Sequence, residues 1–174
     1  MKETGVVRRI DELGRIVIPK EIRKNLRIRE GDPVEIFVSQ GDNIILKKYS
    51  LLNGYENEFD KIASVIANKL NATVLISDND KIIASAGPFK NEYIGKDLSN
   101  RVRSVLQERR ATQATLANIV SKEMYQGNAY ILPLIVEGDL FGGVILLLND
   151  LSFDESYKVV MEVMGNYIIK RLES

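Results

Sequence analysis

The 174-residue chain contains no cysteine and no histidine. Without cysteine there is no disulfide framework, no thiolate nucleophile and no thiolate ligand for zinc or an iron–sulfur cluster. Without histidine the commonest general base and the commonest metal ligand are gone as well, which disfavours most hydrolase, haem and zinc chemistry. The carboxylates are scattered, with no pairing that points to acid–base catalysis. An enzyme is therefore not expected, and the sequence calls for neither metal nor cofactor. Long apolar runs are also missing: the longest, Leu140 to Leu148, is far too short to span a bilayer, and the Met-Lys-Glu-Thr-Gly start has no signal-peptide character. A cytoplasmic protein with no membrane partner is expected.

Net charge is absent overall, since 24 Lys and Arg balance 24 Asp and Glu. The balance is uneven along the chain. Residues 1–48 carry eleven Lys or Arg against eight Asp or Glu, a net of +3, which leaves −3 for the remainder. With 45% hydrophobic and 28% charged residues the composition is that of a folding globular protein.

The front of the chain reads as four short strands separated by turn signals. Val6–Ile10 and Arg15–Ile18 flank Leu13-Gly14, and Val34–Val38 and Ile44–Lys47 flank Gln40-Gly41-Asp42-Asn43. One helix of about two turns interrupts them, with Pro19 at its start, Glu21 in its first turn, and Ile22 and Leu26 four apart on a face that should pack on the strands. Val34, Ile36 and Val38 share one strand face while Phe37 lies on the other, and Ile44 and Leu46 oppose Ile45, so both faces are partly apolar. A unit of this size sits near the limit at which small domains need metals, disulfides or oligomerisation, which leaves dimerisation.

Residues 50–56 read as a linker, and residues 57–174 as a second domain. Phe59, Ile62, Ala63, Ile66 and Leu70 repeat at helical spacing up to a stop at Asn71. Thr73–Ser77 and Lys81–Ser85 make a hairpin around Asp78-Asn79-Asp80 that ends at Gly87-Pro88. Leu98, Val102, Val105 and Leu106 mark a helix with Asp97 or Ser99 near its start. Residues 111–127 show no legible pattern. A longer hairpin, residues 128–136 and 140–148 around Glu137-Gly138-Asp139, is apolar enough to be central. Ser152-Phe153-Asp154-Glu155 has capping-box spacing and precedes a last helix carrying Val160, Met164, Tyr167, Ile168 and Leu172. Two amphipathic helices thus bracket an α/β sandwich, and their apolar faces are expected to meet those of neighbouring subunits as a bundle.

The stretch from Thr4 to Arg23, with its Leu13-Gly14-Arg15-Ile16-Val17-Ile18-Pro19 run and Glu21-Ile22-Arg23 behind it, resembles the AbrB family of swapped-hairpin regulators almost residue for residue. The similarity continues through Leu26, Gly31-Asp32, Glu35-Ile36 and Ile44 to Tyr49. The resemblance implies an α+β protein whose residues 1–49 form a β-barrel from the interleaved hairpins of two chains and grip double-stranded promoter DNA through paired basic residues. Arg8, Arg9, Arg15, Arg23 and Lys24 are the candidates, able to offer up to ten cations per dimer to phosphate, and guanidinium forks also read guanine edges. Adjacent strand residues point to opposite faces, so Arg8, Arg15 and Arg23 rank above Arg9 and Lys24. Solvated surface charge, offset by Asp11, Glu12 and Glu21, accounts for the same composition, and an antitoxin using the same fold is the rival function.

The second domain resembles GAF domains in pattern: a first hairpin, a middle helix, the Gly142-Gly143 strand and Phe153-Asp154 before the last helix. The combination resembles AbrB-type sporulation regulators with a sensor domain. It implies a transcription regulator, activating or repressing, that forms a homodimer through residues 1–49 and a homotetramer through its GAF-like half. A small molecule or protein partner is expected near Ser85, Gly87, Tyr93 or residues 111–127 if the domain is a sensor. These positions read more readily as ordinary turn and packing residues. Arg101, Arg103, Arg109 and Arg110 form a basic helix that suits an anion, a second DNA segment or simply solvent.

Overall fold

The computed structural model describes residues 5–121, 125, 127–148 and 153–173. The chain divides into two compact units, one up to Tyr49 and one from Ser50 onward.

In the first unit, the turn around Leu13-Gly14 is closed by Asp11 N donating to Arg15 O (3.0 Å) and Gly14 N to Asp11 O (3.0 Å), with Gly14 at φ +75°. The flanking segments, Val6–Ile10 and Arg15–Ile18, form no strand pairing within the chain, contrary to the four-strand expectation. Among the described residues the two arms bond to each other only at the turn, so no ladder extends from it, and Val7 and Val17 are left 90% and 73% exposed. Helix α1 (Lys20–Leu26) follows with Pro19 as N-cap and ends on Arg27 in the left-handed region. It buries none of its residues, so the expected packing of its apolar face on the strands is not met within one chain: Ile22 is half-buried and Leu26 exposed. Strands β1 (Val34–Ser39) and β2 (Asn43–Lys48) form an antiparallel hairpin in which Ile36 faces Leu46 and Val38 faces Ile44. Lys48 ties this hairpin to the helix, its Nζ reaching Asp32 Oδ2 (2.9 Å) and Arg27 O (3.1 Å).

The second unit is a three-layer sandwich on a five-stranded antiparallel sheet. Residues expected as a linker belong to it, because Leu52 is fully buried and Tyr55 stacks on Phe59. Helix α2 (Glu56–Leu70) ends on Asn71 in the left-handed region. Next come strands β3 (Thr73–Asp78) and β4 (Ile82–Ala86), the short helix α3 (Lys90–Tyr93), and helix α4 (Asn100–Gln107), whose Val102 N is capped by Ser99 Oγ. Strand β5 (Thr112–Leu116) lies in the stretch that showed no sequence pattern. Strands β6 (Gly127–Val136) and β7 (Asp139–Leu147) form the central hairpin, and helix α5 (Glu155–Leu172) follows with Asp154 as N-cap. Ser152, the expected capping residue, lies outside the described residues.

The strand order is β4-β3-β7-β6-β5. One sheet face, with Val74, Ile76, Leu134, Val144 and Leu146, packs under both α2 and α5. The other, with Leu75, Ile131, Ile145 and Leu147, packs under α4 and the segment containing Leu116, Ile119 and Val120. The two long helices therefore lie on the same side of the sheet rather than bracketing it. Gly165 lies on the face of α5 turned to β6, where a Cβ would come against the tip of the Leu132 side chain.

Candidate nucleic-acid interface

The basic residues of the first unit lie on three pieces of backbone. Arg8 and Arg9 are on the segment before the Asp11–Arg15 turn, Arg15 closes that turn, and Arg23 and Lys24 occupy the last turn of α1, where cations complement the negative end of the helix dipole. All five are exposed. Among the described residues, the side chains of Arg8, Arg9, Arg23 and Lys24 have neither a hydrogen bond nor an ion pair. Uncommitted cations on adjoining segments of so small a unit are available to phosphate without first breaking an internal pair.

Arg15 is arranged differently. Its Nε donates to Asp11 Oδ2 (2.8 Å), while Asp11 Oδ1 accepts the backbone N–H groups of Arg15 (2.8 Å) and Leu13 (3.0 Å). These bonds, led by those from Arg15, hold the Asp11 carboxyl below its usual range, so it stays charged. Sequence reading treated Asp11 as an offsetting charge and missed this role. The signal was present in the spacing, because an Asp whose side chain caps backbone N–H groups two and four residues on is a turn-forming device, and Gly14 marks the same turn. Lys20, exposed at the start of α1, is a further cation not picked out from sequence.

Several basic residues of the second unit are engaged internally. Arg103 donates to Asp80 O (3.1 Å) and lies 3.9 Å from Asp80 Oδ1, Arg110 pairs with Glu108 (3.0 Å), and Arg109 donates to Gly138 O. Of the basic residues expected to be open to an anion or a second DNA segment, Arg103 and Arg109 are therefore engaged by their own fold, while Arg101 and Arg110 stay exposed. The residues considered for a ligand do not converge either. Gly87 lines a groove of about 430 Å³ with Ser64, Asn68, Ala86, Pro88 and Lys90. Ser85, opposite Leu75 in the β3–β4 register, and Tyr93 belong to the α4 side of the sheet.

On the α2–α5 side, Glu58 accepts hydrogen bonds from Tyr167 OH (2.6 Å) and from Arg171 Nε (2.8 Å) and Nη2 (3.1 Å). The Arg171 guanidinium, ahead of the Tyr167 hydroxyl, holds the Glu58 carboxyl down at about 2. Arg171 also stacks over the Tyr55 ring at 5.6 Å. This cluster joins the first turn of α2 to the last turn of α5.

Residues 57–173 match a family model described as stage V sporulation protein T C-terminal, transcription factor. Residues 7–51 match one described as antidote-toxin recognition MazE, bacterial antitoxin. Over 180 residues the chain is 38% identical to stage V sporulation protein T of Bacillus subtilis (strain 168), covering 99% of each protein. Its amino-terminal part is 59% identical over 49 residues to the transition state regulatory protein AbrB of the same organism, which is 28% of this chain and 50% of that protein. The GAF domain of an Acinetobacter phosphoenolpyruvate-protein phosphotransferase shares the fold of the second unit at 14% identity and a TM-score of 0.55, covering 72% of this chain and 84% of that one. Joined to the two-unit architecture, these similarities establish that the chain belongs to the stage V sporulation protein T family.

Proposed function

We propose that the chain is a transcription regulator of sporulation that binds double-stranded promoter DNA as a homodimer through residues 1–49, using Arg8, Arg9, Arg15, Arg23 and Lys24. The observation that carries the reading is the state of the first unit. It holds exposed, largely unpaired cations beside an apolar strand surface that its own chain leaves uncovered, with Ile36 and Val38 66% and 81% exposed. A second copy exchanging its amino-terminal hairpin would supply the missing sheet edges and cover that surface, and it would present the cations as a two-fold pair suited to pseudo-symmetric DNA. Family membership and the extensive identity to AbrB support the same reading. Neither catalysis nor a cofactor is part of it, and it puts the protein with the chromosome in the cytoplasm.

Fluorescence anisotropy on promoter DNA tests it. Arg15→Ala and Arg23→Ala are each expected to weaken binding, and a variant that removes a phosphate contact from both subunits is expected to reduce the slope of log K against log salt by about 1.8, at about 0.9 per contact. Unchanged affinity and slope in both variants would overturn the assigned DNA face.

The second unit, in this reading, mediates further self-association and receives any signal through its GAF-like fold. Val159, Val163 and Tyr167 recur at four-residue spacing along α5, and all three are exposed, as is Val65 on α2. Such a stripe on a helix whose opposite face is already buried favours a tetramer built through this domain. The antitoxin alternative requires a tail that wraps a toxin in place of a packed domain. Limited proteolysis is expected to leave a resistant fragment beginning near Leu52 to Tyr55, which such a tail would not.

A further inference from the structure

We propose that Asp11 is a positioning residue for DNA recognition: its carboxylate grips Arg15 by Nε and so presents the Nη edge of the guanidinium to DNA in a fixed orientation. The inference rests on the DNA-binding reading above. Asp11 engages the turn at three points, with Oδ1 on the Leu13 and Arg15 amides and Oδ2 on Arg15 Nε. Backbone and side chain of Arg15 are therefore registered to one carboxylate. The Arg15 side chain is nonetheless 71% exposed and Asp11 41%, and the Asp11 contact is the one side-chain interaction of Arg15 among the described residues. The Nη groups remain open to an acceptor outside the chain, whether a phosphate oxygen or a guanine edge.

The sign of the expected effect separates this role from simple charge. A carboxylate beside a DNA-facing cation repels phosphate, so its removal alone should tighten binding. Positioning predicts the opposite, because an ordered guanidinium loses less conformational freedom on binding.

The test uses the full-length chain and a fluorescein-labelled duplex that the wild-type protein selects from random-sequence DNA, with an unselected duplex beside it. Asp11→Asn keeps a side-chain oxygen for the two amides but loses the charged grip on Nε. It is expected to weaken binding to the selected duplex roughly three- to tenfold, the size of an exposed charge-assisted pair lost from both subunits. The same substitution in an Arg15→Ala background is expected to cost nothing further. Arg15→Lys leaves Asp11 and the turn amides untouched but lacks the Nε–Nη fork, and it should lose a similar factor. Loss on the selected duplex alone assigns the Nη edge to a base, and equal loss on both duplexes assigns it to phosphate. Unchanged or tighter binding by Asp11→Asn, an equal loss in the Arg15→Ala background, or wild-type affinity in Arg15→Lys would overturn the proposal. Wild-type affinity in Arg15→Ala would instead overturn the DNA face itself.

Discussion

Gly142 shows how closely single residues are constrained in the second unit. It sits in β7 opposite Asp78 and Leu134 at φ +152°, and a Cβ there would run into the backbone carbonyl of Ser77. Because rigid backbone rather than a side-chain tip blocks the space, Gly142→Ala is expected to destabilise the domain by about 1–3 kcal/mol, lowering the thermal midpoint in a melting experiment. The same scale explains why the role of Asp11 was not legible as chemistry. Its position in the turn was readable from the Asp and Gly spacing, but the bond from Arg15 Nε depends on where a long side chain folds back, which spacing does not specify.

At the level of elements, the hairpins and helices with strong apolar patterning were readable, and the differences fall where patterning is weak. Residues 73–77 and 81–85, like 128–136 and 140–148, carry continuous apolar runs around Asp- and Gly-rich turns, and the sheet is built on them. Strand β5, Thr112–Leu116, escaped because it is an edge strand whose inward positions are Thr112, Ala114 and Leu116, of which Leu116 alone is strongly apolar, so its alternation in burial leaves little trace in hydropathy. The helices α2 and α5 were each readable, but not their side-by-side placement, because amphipathic spacing shows that a face is buried without showing against which layer. Glu58 makes that placement testable. Its folded carboxyl lies at about 2 against an ordinary 4.5, so its contribution is fully present above pH 4.5 and is lost as pH falls toward 2. Glu58→Gln is expected to lower the melting temperature at neutral pH by a modest amount, since the cluster is solvent-exposed, and the two proteins should converge as pH falls from about 5 to 2. Parallel melting curves across that range would show that the helix–helix clamp carries no charge-dependent stability.

For the whole molecule, the two units stand in contrast. The second has two extensive buried clusters, whereas Ile28 and Pro19 are the buried residues of the first among those described. Assembly is the way so small a unit acquires a core. If the exposed stripe on α5 is the tetramer contact proposed above, Val163→Glu, which puts a charge into that stripe, is expected to convert tetramer to dimer in sedimentation equilibrium. Persistence of the tetramer would place that contact elsewhere.

Composition and local pattern sufficed for the division of charge, the helices other than α3 and the apolar hairpins, because these follow from nearest-neighbour chemistry and from periods of two and 3.6 residues. Tertiary structure alone decided three things: that α2 and α5 share one face of the sheet, that Arg103 and Arg109 bond to backbone carbonyls within their own domain, and that Arg15 is held by Asp11 while Arg8, Arg9, Arg23 and Lys24 stay uncommitted. Each depends on side chains meeting across turns or between layers, and such meetings are set by packing geometry rather than by the order of residues along the chain.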